Sequence, residues 1–403
     1  MIKGKDIIVT GIIHWEIEIG SNCQDIAKEF SKNNRVLYVY HPLNHATWLK
    51  SKDPKVKDRL KKSRSKERGL VKKNENLYIL YTKRIIFSIN WLPSGKLFNW
   101  MNRINALIFA SDITKTIRKL NFETDILFND TSMFLGLHLK ELLNPKIYAY
   151  YIRDNMIKVD YWARHGTKAE PELLNQVDLI TNNSLYYTEY GKMYNKHSYM
   201  VGQGCDVSSF DESKHKLTIP EDINKITKPI IGYIGNISTL RLEISLISYI
   251  AQTHPEWSIV LVGPEDDDFK LSKLHNMDNL YFLGNKDMSL IPNYVKALDV
   301  AINPQLVNDL TIGNYPRKID EYLALGKAVV ATSTKAMEYF KDVCYLAENK
   351  EEFVRLIELA LAEESKEKKE KRREVGLHHS WETNVNEIYK AIENVALEKG
   401  INI

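Results

Sequence analysis

Short, nearly uninterrupted apolar runs alternate along this chain with longer segments whose apolar positions return every three or four residues. The first kind reads as strands buried on both faces, the second as amphipathic helices. In the first half, strands are expected at residues 6–11, 35–41, 77–82, 124–128, 146–152, 177–181 and 198–201, with helices at 23–30, 97–120, 133–142, 170–176 and 185–194. The pattern then restarts. Strands are expected at 230–234, 258–262, 280–283, 300–303, 328–331 and 344–346, and helices at 241–252, 290–297, 318–325 and 351–364. Strands separated by helices form parallel sheets, because the helix is the crossover that brings the chain back. Two such series predict an α/β chain of two doubly wound, Rossmann-like domains. The polar stretch 208–228, carrying Pro220, is the expected linker. It places an N-terminal domain at 1–210 and a C-terminal domain at 211–380. Residues 381–403 read as a closing helix with Trp381, Val385, Ile388, Tyr389, Ile392 and Val395 at helical spacing. The mixed charges of 363–374, EESKEKKEKRRE, read as a solvated helix.

At 403 residues the chain is too long for one core, in keeping with two domains. Its formal charge, 56 − 52 = +4, is unevenly placed. Between Lys50 and Lys73 there are twelve Lys/Arg and three Asp/Glu, a local +9, so the remainder sums to 4 − 9 = −5. Such a distribution argues against a domain-wide nucleic-acid face and leaves one cationic segment to explain. Cys23, Cys205 and Cys344 are scattered, with no CxxC spacing, so neither a disulfide framework nor a structural zinc site is expected, and a reducing, cytoplasmic setting fits. The opening run MIKGKDIIVTGII is broken by Gly11 and His14 and reads as a buried strand, not a leader or a span.

Two stretches carry chemistry. In residues 303–332, NPQLVNDLTIGNYPRKIDEYLALGKAVVAT, a strand ends in a polar loop containing Gly313, and a helix of about two turns begins at Pro316, where a first turn tolerates proline. Unpaired N–H groups at such a turn can hold an anion, Lys318 adds a charge, and Glu321 could accept hydrogen bonds from a ribose diol. Gly326 is placed to end the helix. The plainer reading is an αβ turn with a solvated Lys and Glu. In residues 229–241, PIIGYIGNISTLR, a strand runs into Gly235, which lets the backbone approach a phosphate closely. A helix start at Ser238 or Thr239, with Glu243 as capping partner, and Arg241 as a phosphate grip follow. Both stretches sit at carboxyl ends of strands in one domain, where doubly wound sheets bind ligands.

These stretches resemble the nucleotide-binding domain of GT-B-fold glycosyltransferases, family 4-like, in particular the bacterial teichuronic-acid and polysaccharide-assembly branch. The matching text is GYIGNIST, PEWSIVLVGPED, LYFLGNKDMSLIPNYVKALDVAINP and PRKIDEYLALGKAVVAT, with HSWETNVNEIYKAI similar to the family's helix that crosses back to the first domain. In the first half SNCQDIAKEFSKNNRVLYVYHP, IYAYYIRDN, NQVDLITNNSLYYTEY and VGQGCDVSSF are similar to its helix, strands and hinge, so only about 43–120 is uncovered. The resemblance implies two domains facing a cleft and a nucleotide-diphosphate sugar as co-substrate, UDP-linked in preference to GDP-linked, with no further cofactor and no metal. It puts the ribose carboxylate on Glu321, the phosphate-loop glycine on Gly235 and a phosphate cation on Arg241. Asn236 stands where the family has a basic residue. Gly313 stands where the first glutamate of the family's pair would be, so backbone groups of Thr311, Ile312, Gly313 and Asn314 are expected to replace it. Pro316 and Lys318 fit the branch's Pro-x-Lys pattern.

For the first domain, candidates after the first strand are His14, Glu16 and Glu18, with His14 able to hydrogen-bond acceptor or donor. Asp154, after IYAYYIRD, could orient an acceptor hydroxyl as a base or cap a helix. Three features are set aside. The EDDD of 265–268 reads as a solvated acidic loop in preference to a metal–diphosphate motif, WLPSG (91–95) as a turn, and Tyr148, Tyr150 and Tyr151 as packing. The segment 50–73 is too charged for core; alone it reads as a solvated loop. With 84–101, RIIFSINWLPSGKLFNWM, it suits an anionic membrane surface, which attracts about 1 kcal/mol per Lys or Arg. The expectation is a metal-independent glycosyltransferase at the cytoplasmic face of a membrane, moving a sugar to a cell-surface polysaccharide or lipid-linked glycan. By resemblance it retains anomeric configuration. A nucleotide-sugar epimerase and an inactive nucleotide-sugar or membrane-surface binding protein are the alternatives.

Overall fold

The structure, a computed structural model, describes residues 1–13, 15, 21–65 and 69–403. It divides into two compact units: Met1–Asn183 with Tyr187–Gly202 and Asn384–Ile403, and Ser184–Tyr186 with Gln203–Thr383.

The first unit is built on an eight-stranded sheet of β1 (Asp6–Gly11), β2 (Arg35–Tyr40), β3 (Leu70–Lys72), β4 (Leu77–Leu80), β5 (Ile126–Asp130), β6 (Ile147–Ile152), β7 (Leu179–Asn182) and β8 (Ser198–Met200). The order is β3-β4-β2-β1-β5-β6-β7-β8, and all pairings are parallel except β3 with β4. Its helices are α1 (Asn22–Phe30), α2 (His45–Lys50), α3 (Pro54–Ser63), α4 (Lys96–Leu120), α5 (Met133–Leu143), α6 (Asp160–Gln176) and α7 (Leu185–Lys192). Acidic residues at the amino edge fix the register. Asp125 accepts the Asp6 N–H at 3.0 Å and Asp178 the Tyr148 N–H at 2.8 Å, while Asp6 itself is gripped by Arg35. The tyrosines Tyr148, Tyr150 and Tyr151 are fully buried packing residues.

The basic segment departs from the expectation that it has no core positions. Asp53 caps α3 by accepting the Lys55 N–H at 2.8 Å, and the buried Arg59 lies 5.1 Å from the Tyr40 ring and donates to the His41 carbonyl. β3 was not expected either. It forms because Gly69, at φ +82°, brings the chain against Tyr81, whose N–H donates to the Gly69 carbonyl at 2.8 Å. α6 is longer than expected and continues through Pro171.

The second unit has six parallel strands, β9 (Ile230–Ile234), β10 (Ser258–Val262), β11 (Leu280–Phe282), β12 (Val300–Asn303), β13 (Ala328–Thr332) and β14 (Tyr345–Ala347), in the order β11-β10-β9-β12-β13-β14. Its helices are α8 (Glu221–Asn224), α9 (Ile244–Thr253), α10 (Asp267–Lys270), α11 (Ile291–Ala297), α12 (Lys318–Ala324), α13 (Lys350–Ala362) and α14 (Lys366–His378). α11 and α12 bury Tyr294, Val295, Ile319, Tyr322 and Leu323 on one face of the sheet. α9 and α13 bury Ile247, Ile250, Phe353 and Ile357 on the other. The chain winds outward from β9 to β11 and then from β12 to β14, so the switch point lies between β9 and β12, and in the first sheet between β1 and β5.

Three expectations change here. Residues 208–228 are not an open linker: the division falls at Gly202–Gln203, and Phe210, Leu217, Ile219, Ile223 and Ile226 join the second core. α9 begins at Ile244 after Glu243, not at Ser238 or Thr239, because the Asp266 carboxylate accepts the Thr239 N–H at 2.7 Å and its hydroxyl at 3.0 Å. The charged run 366–378 is solvated on one side only. Arg372 is buried, donating to the Gly326 carbonyl at 3.0 Å, and Gly376 presses on the backbone of Leu323 and Ala324.

α15 (Trp381–Glu398) closes the chain, and from Asn384 onward it belongs to the first unit. Its Tyr389 stacks on Phe30 at 5.4 Å and accepts from Asn34 at 2.8 Å.

Candidate functional site

β9 ends at Ile234, and Gly235 follows at φ +152°. A side chain there would collide with Lys318: an added Cβ would lie 2.9 Å from its Cε and 3.3 Å from its Nζ. The Lys318 ammonium also sits 4.5 Å from the Tyr233 ring, whose hydroxyl donates to the Asn236 carbonyl at 3.0 Å. Tyr322, one turn along α12, holds the strand end from the other side, accepting the Ile234 N–H at 2.8 Å and donating to its carbonyl. The glycine and the lysine, far apart in sequence, thus meet at the β9/β12 switch point. Gly263, at the end of β10, completes the arrangement. At φ +147° it lies so close that a Cβ would be 1.8 Å from the Gly235 carbonyl oxygen.

Glu321 is one turn inside α12. Its side chain is 16% exposed, 3.8 Å from Arg317 Nε, and accepts only a long contact from the Cys205 thiol at 3.8 Å. Burial raises its pKa, against the opposing pull of Arg317 and Lys318. Burial also raises the Cys205 thiol, which therefore stays a donor. A carboxylate this enclosed with no strong donor among the described residues is suited to accept from a ligand.

The other expected residues fall as follows. Pro316 stands two residues before α12, ahead of Arg317 at its N-cap, and accepts the Ile319 N–H at 2.9 Å. Gly326, at φ +70°, ends α12 as expected: it donates to Leu323 and Lys327 donates to Tyr322. Arg241 is exposed in the turn 238–241, not on a helix. Its carbonyl accepts from Leu306, which ties that turn to the loop after β12. Asn236 is exposed. The loop Thr311–Asn314 is less available than expected. The N–H groups of Thr311, Ile312 and Asn314 and the carbonyls of Thr311 and Gly313 are all bonded, the last to Ser184 at 2.9 Å, leaving, among the described residues, the Gly313 N–H and the carbonyls of Ile312 and Asn314. In the acidic stretch 265–268, Asp266 caps α10, accepting from Phe269 at 2.8 Å, so that residue is structural. Among the described residues no cluster of His, Cys, Asp and Glu could hold a metal ion.

Sequence reading missed Asn303, 2% exposed at the end of β12 with a side-chain N–H that has no partner among the described residues, and the close approach of Gly263 to Gly235. It also missed the carboxylate beneath the site. Asp320, fully buried, faces His379 Nδ1 at 2.6 Å and accepts from Tyr315 at 2.9 Å.

In the first unit His14, Glu16 and Glu18 lie outside the described residues. Asp154 does not cap a helix; its carboxylate accepts from Arg153 Nη1 at 2.8 Å. The same guanidinium donates through Nε at 3.0 Å to Asp130, a fully buried carboxylate at the end of β5 that sequence reading passed over. Burial works against the Arg153 charge, but Asp130 and Asp154 outweigh it and raise its pKa. Thr131, next in the chain, is held at φ +56°, a strained conformation for a β-branched residue, beside the β1/β5 switch point.

Two doubly wound sheets, the second with Gly235 and Lys318 meeting at its switch point, define the GT-B fold of glycosyltransferases. Solved structures share it over nearly the whole chain. HepE of Anabaena in complex with UDP aligns with TM-score 0.66 at 14% identity, covering 97% of this chain and 100% of that one. Sucrose-phosphate synthase of Thermosynechococcus elongatus aligns with TM-score 0.67 at 14% identity, covering 98% and 100%. Residues 215–376 match the family Glycosyl transferases group 1, so this GT-B protein carries a group 1 glycosyltransferase domain. Over 168 residues it is 28% identical to TuaH of Bacillus subtilis (strain 168), named as a teichuronic acid biosynthesis glycosyltransferase. That match spans 40% of this chain and 42% of the relative. No helix among the described residues is long and apolar enough to cross a membrane.

Proposed function

We propose that the protein is a glycosyltransferase that moves a sugar from a nucleotide-diphosphate sugar, UDP-linked in preference to GDP-linked, to a cell-surface polysaccharide or lipid-linked glycan. The observation that carries this reading is the Lys318 ammonium lying over Gly235 at the β9/β12 switch point, one turn from the under-bonded carboxylate of Glu321. Gly235 admits the diphosphate to the backbone, Lys318 and Arg241 balance its charge, and Glu321 accepts from the ribose diol. As the anomeric carbon leaves the diphosphate oxygen, negative charge grows on that oxygen, and fixed cations there lower the barrier. In this reading the chain's own cations make a metal unnecessary, and activity withstands a chelator. Asp154, held by Arg153, orients the acceptor hydroxyl, with His14 as a second acceptor-side group. The group 1 domain and the GT-B neighbours support the donor class. Retention of configuration is the family expectation, to be read from the anomer of the product. The acceptor reading places the protein at the cytoplasmic face of a membrane, in contact with anionic lipid through residues 50–101.

The test is transfer of label from UDP-sugars to a cell-envelope glycan extract, lost in Lys318→Ala and Glu321→Ala. Gly313, standing where a sugar-binding glutamate is expected, favours the inactive-binder alternative. UDP binding without any turnover would establish it, and interconversion of donor sugars without acceptor would establish an epimerase.

A further inference from the structure

Among the described residues, large apolar side chains stand exposed on α2, on the segment 87–91 and on α4 of the first unit: Leu49 at 70%, Trp91 at 69%, Trp100 at 60%, Leu97 at 53%, Leu107 at 47% and Phe87 at 43%. They belong to adjoining elements. The Ala46 N–H at the start of α2 donates to the Ser88 hydroxyl at 2.8 Å, and the Trp91 indole N–H donates to the Ser88 carbonyl at 2.8 Å. The Trp91 indole N–H is thus already satisfied, and its ring can enter an apolar medium without an unmet donor.

α4 organises this face. Phe98, Asn102, Asn105, Ala106, Phe109 and Ile113 are its buried side. Leu97, Trp100, Ile104, Leu107 and Ile108 recur three or four residues apart on the other, within an arc of about 100°. Lys115 falls in the same arc about two turns further along. There the apolar stripe gives way to a cavity of about 550 Å³ lined by Leu70, Leu80, Lys83, Arg84, Asp112, Lys115, Thr116 and Lys119. Four cations against one carboxylate leave the lining at 4 − 1 = +3. The carboxylate, Asp112, is engaged by the N–H groups of Lys83 and Arg84 at 3.0 Å each.

We infer that this face docks on an anionic lipid bilayer, with the apolar stripe of α4 and Trp91 entering the headgroup boundary and one lipid phosphate seated in the Lys83–Lys115 cavity. Tryptophan and leucine beside lysine and arginine on one helical face match that interface. The inference deepens the membrane reading above and moves its centre. The contact is the α4 face and its basic cavity, whereas α3, richest in lysine, holds Arg59 inward. It does not depend on the donor site.

The experiment is co-sedimentation of the full chain with phosphatidylcholine vesicles, with and without phosphatidylglycerol. Binding is expected only with phosphatidylglycerol and weakens with salt. Each charge reversal in Lys83→Glu/Lys115→Glu removes one attraction and adds one repulsion of about 1 kcal/mol each, and so lowers the partition about 30-fold. Leu97→Ser/Trp100→Ser lowers it about tenfold or more. All these side chains are exposed, so melting and UDP titration are unchanged in the variants. A failed donor reading would instead show as absent UDP binding with vesicle binding intact. The inference is overturned if the wild type ignores anionic vesicles, if neither variant weakens binding, or if the α4 face mediates self-association without lipid binding. It is also overturned if inorganic phosphate occupies the cavity while vesicle binding ignores Lys83 and Lys115.

Discussion

Substituting Gly263 by alanine separates the phosphate-loop geometry from every other feature of the second unit. The new Cβ would stand 1.8 Å from the Gly235 carbonyl oxygen, and since side-chain carbons do not approach closer than 3.0 Å, the strand ends must part by at least 3.0 − 1.8 = 1.2 Å. Holding alanine at φ +147° adds about 1–3 kcal/mol of backbone strain. A misplacement of about 1 Å at a positioned group costs on the order of 100-fold in rate. Gly263→Ala should therefore bind UDP at least about tenfold more weakly and lose about 100-fold in sugar transfer. Gly284 is the control. It sits at φ +68°, its carbonyl accepts the Gly263 N–H, and nothing lies within 4 Å of its would-be Cβ. Gly284→Ala should melt lower yet bind UDP as the wild type does. Calorimetric titration with UDP and thermal melts on the three proteins decide it. Wild-type UDP affinity in a folded Gly263→Ala would refute the claim that the paired glycines set the phosphate loop.

Other outcomes follow from single groups. Burial raises Glu170 to about 7, only partly offset by hydrogen bonds from Tyr150 and Tyr190, so the folded state binds its proton more tightly than the unfolded chain does. Stability should fall as pH rises from about 4.5 to about 7, by about 3 kcal/mol at most, and Glu170→Gln should flatten that slope in urea melts. If UDP binding needs the Glu321 carboxylate, its raised pKa means that affinity falls on acidification at a higher pH than for an ordinary glutamate. Glu321→Gln should bind weakly at every pH in the same titration. Arg153→Met strands the buried Asp130 and should cost about 3–5 kcal/mol, with Asp130→Asn in the same chain restoring part of it in a double-mutant cycle. Gly376→Ala would put a Cβ 2.2 Å from the Ala324 nitrogen, so it should displace α14 from α12 and lower the melting temperature.

The parts of the structure legible in the sequence were those with one dominant physical cause. Ile230–Ile234, Ser258–Val262 and Val300–Asn303 are continuous apolar runs buried on both sides, and their limits in the sequence reading match the structure. The positions of Gly235 after a strand and of Lys318 and Glu321 in the first turn of a helix were legible because strand-end and helix spacing sets them. What escaped depends on partners distant in sequence. The start of α9 is set by Asp266, β3 by the approach of Gly69 to Tyr81, and the inward turn of Arg59 by Tyr40 and His41. Asp130 looked like one more strand-end residue, and only its link to Arg153 marks it. The α4 stripe was read only through Met101; its continuation through Ile104, Leu107 and Ile108 was hidden because a helix with apolar residues on two sides gives no single face to read.

The most direct test of the donor site is calorimetric titration of UDP into the intact chain, its Lys318→Ala variant and its Glu321→Ala variant. Saturable binding to the wild type is expected, weakened at least about tenfold in each variant, as loss of a charged hydrogen-bonding partner of the ligand implies. Undiminished UDP binding in both variants, or no binding of any nucleoside diphosphate to the wild type, would contradict it.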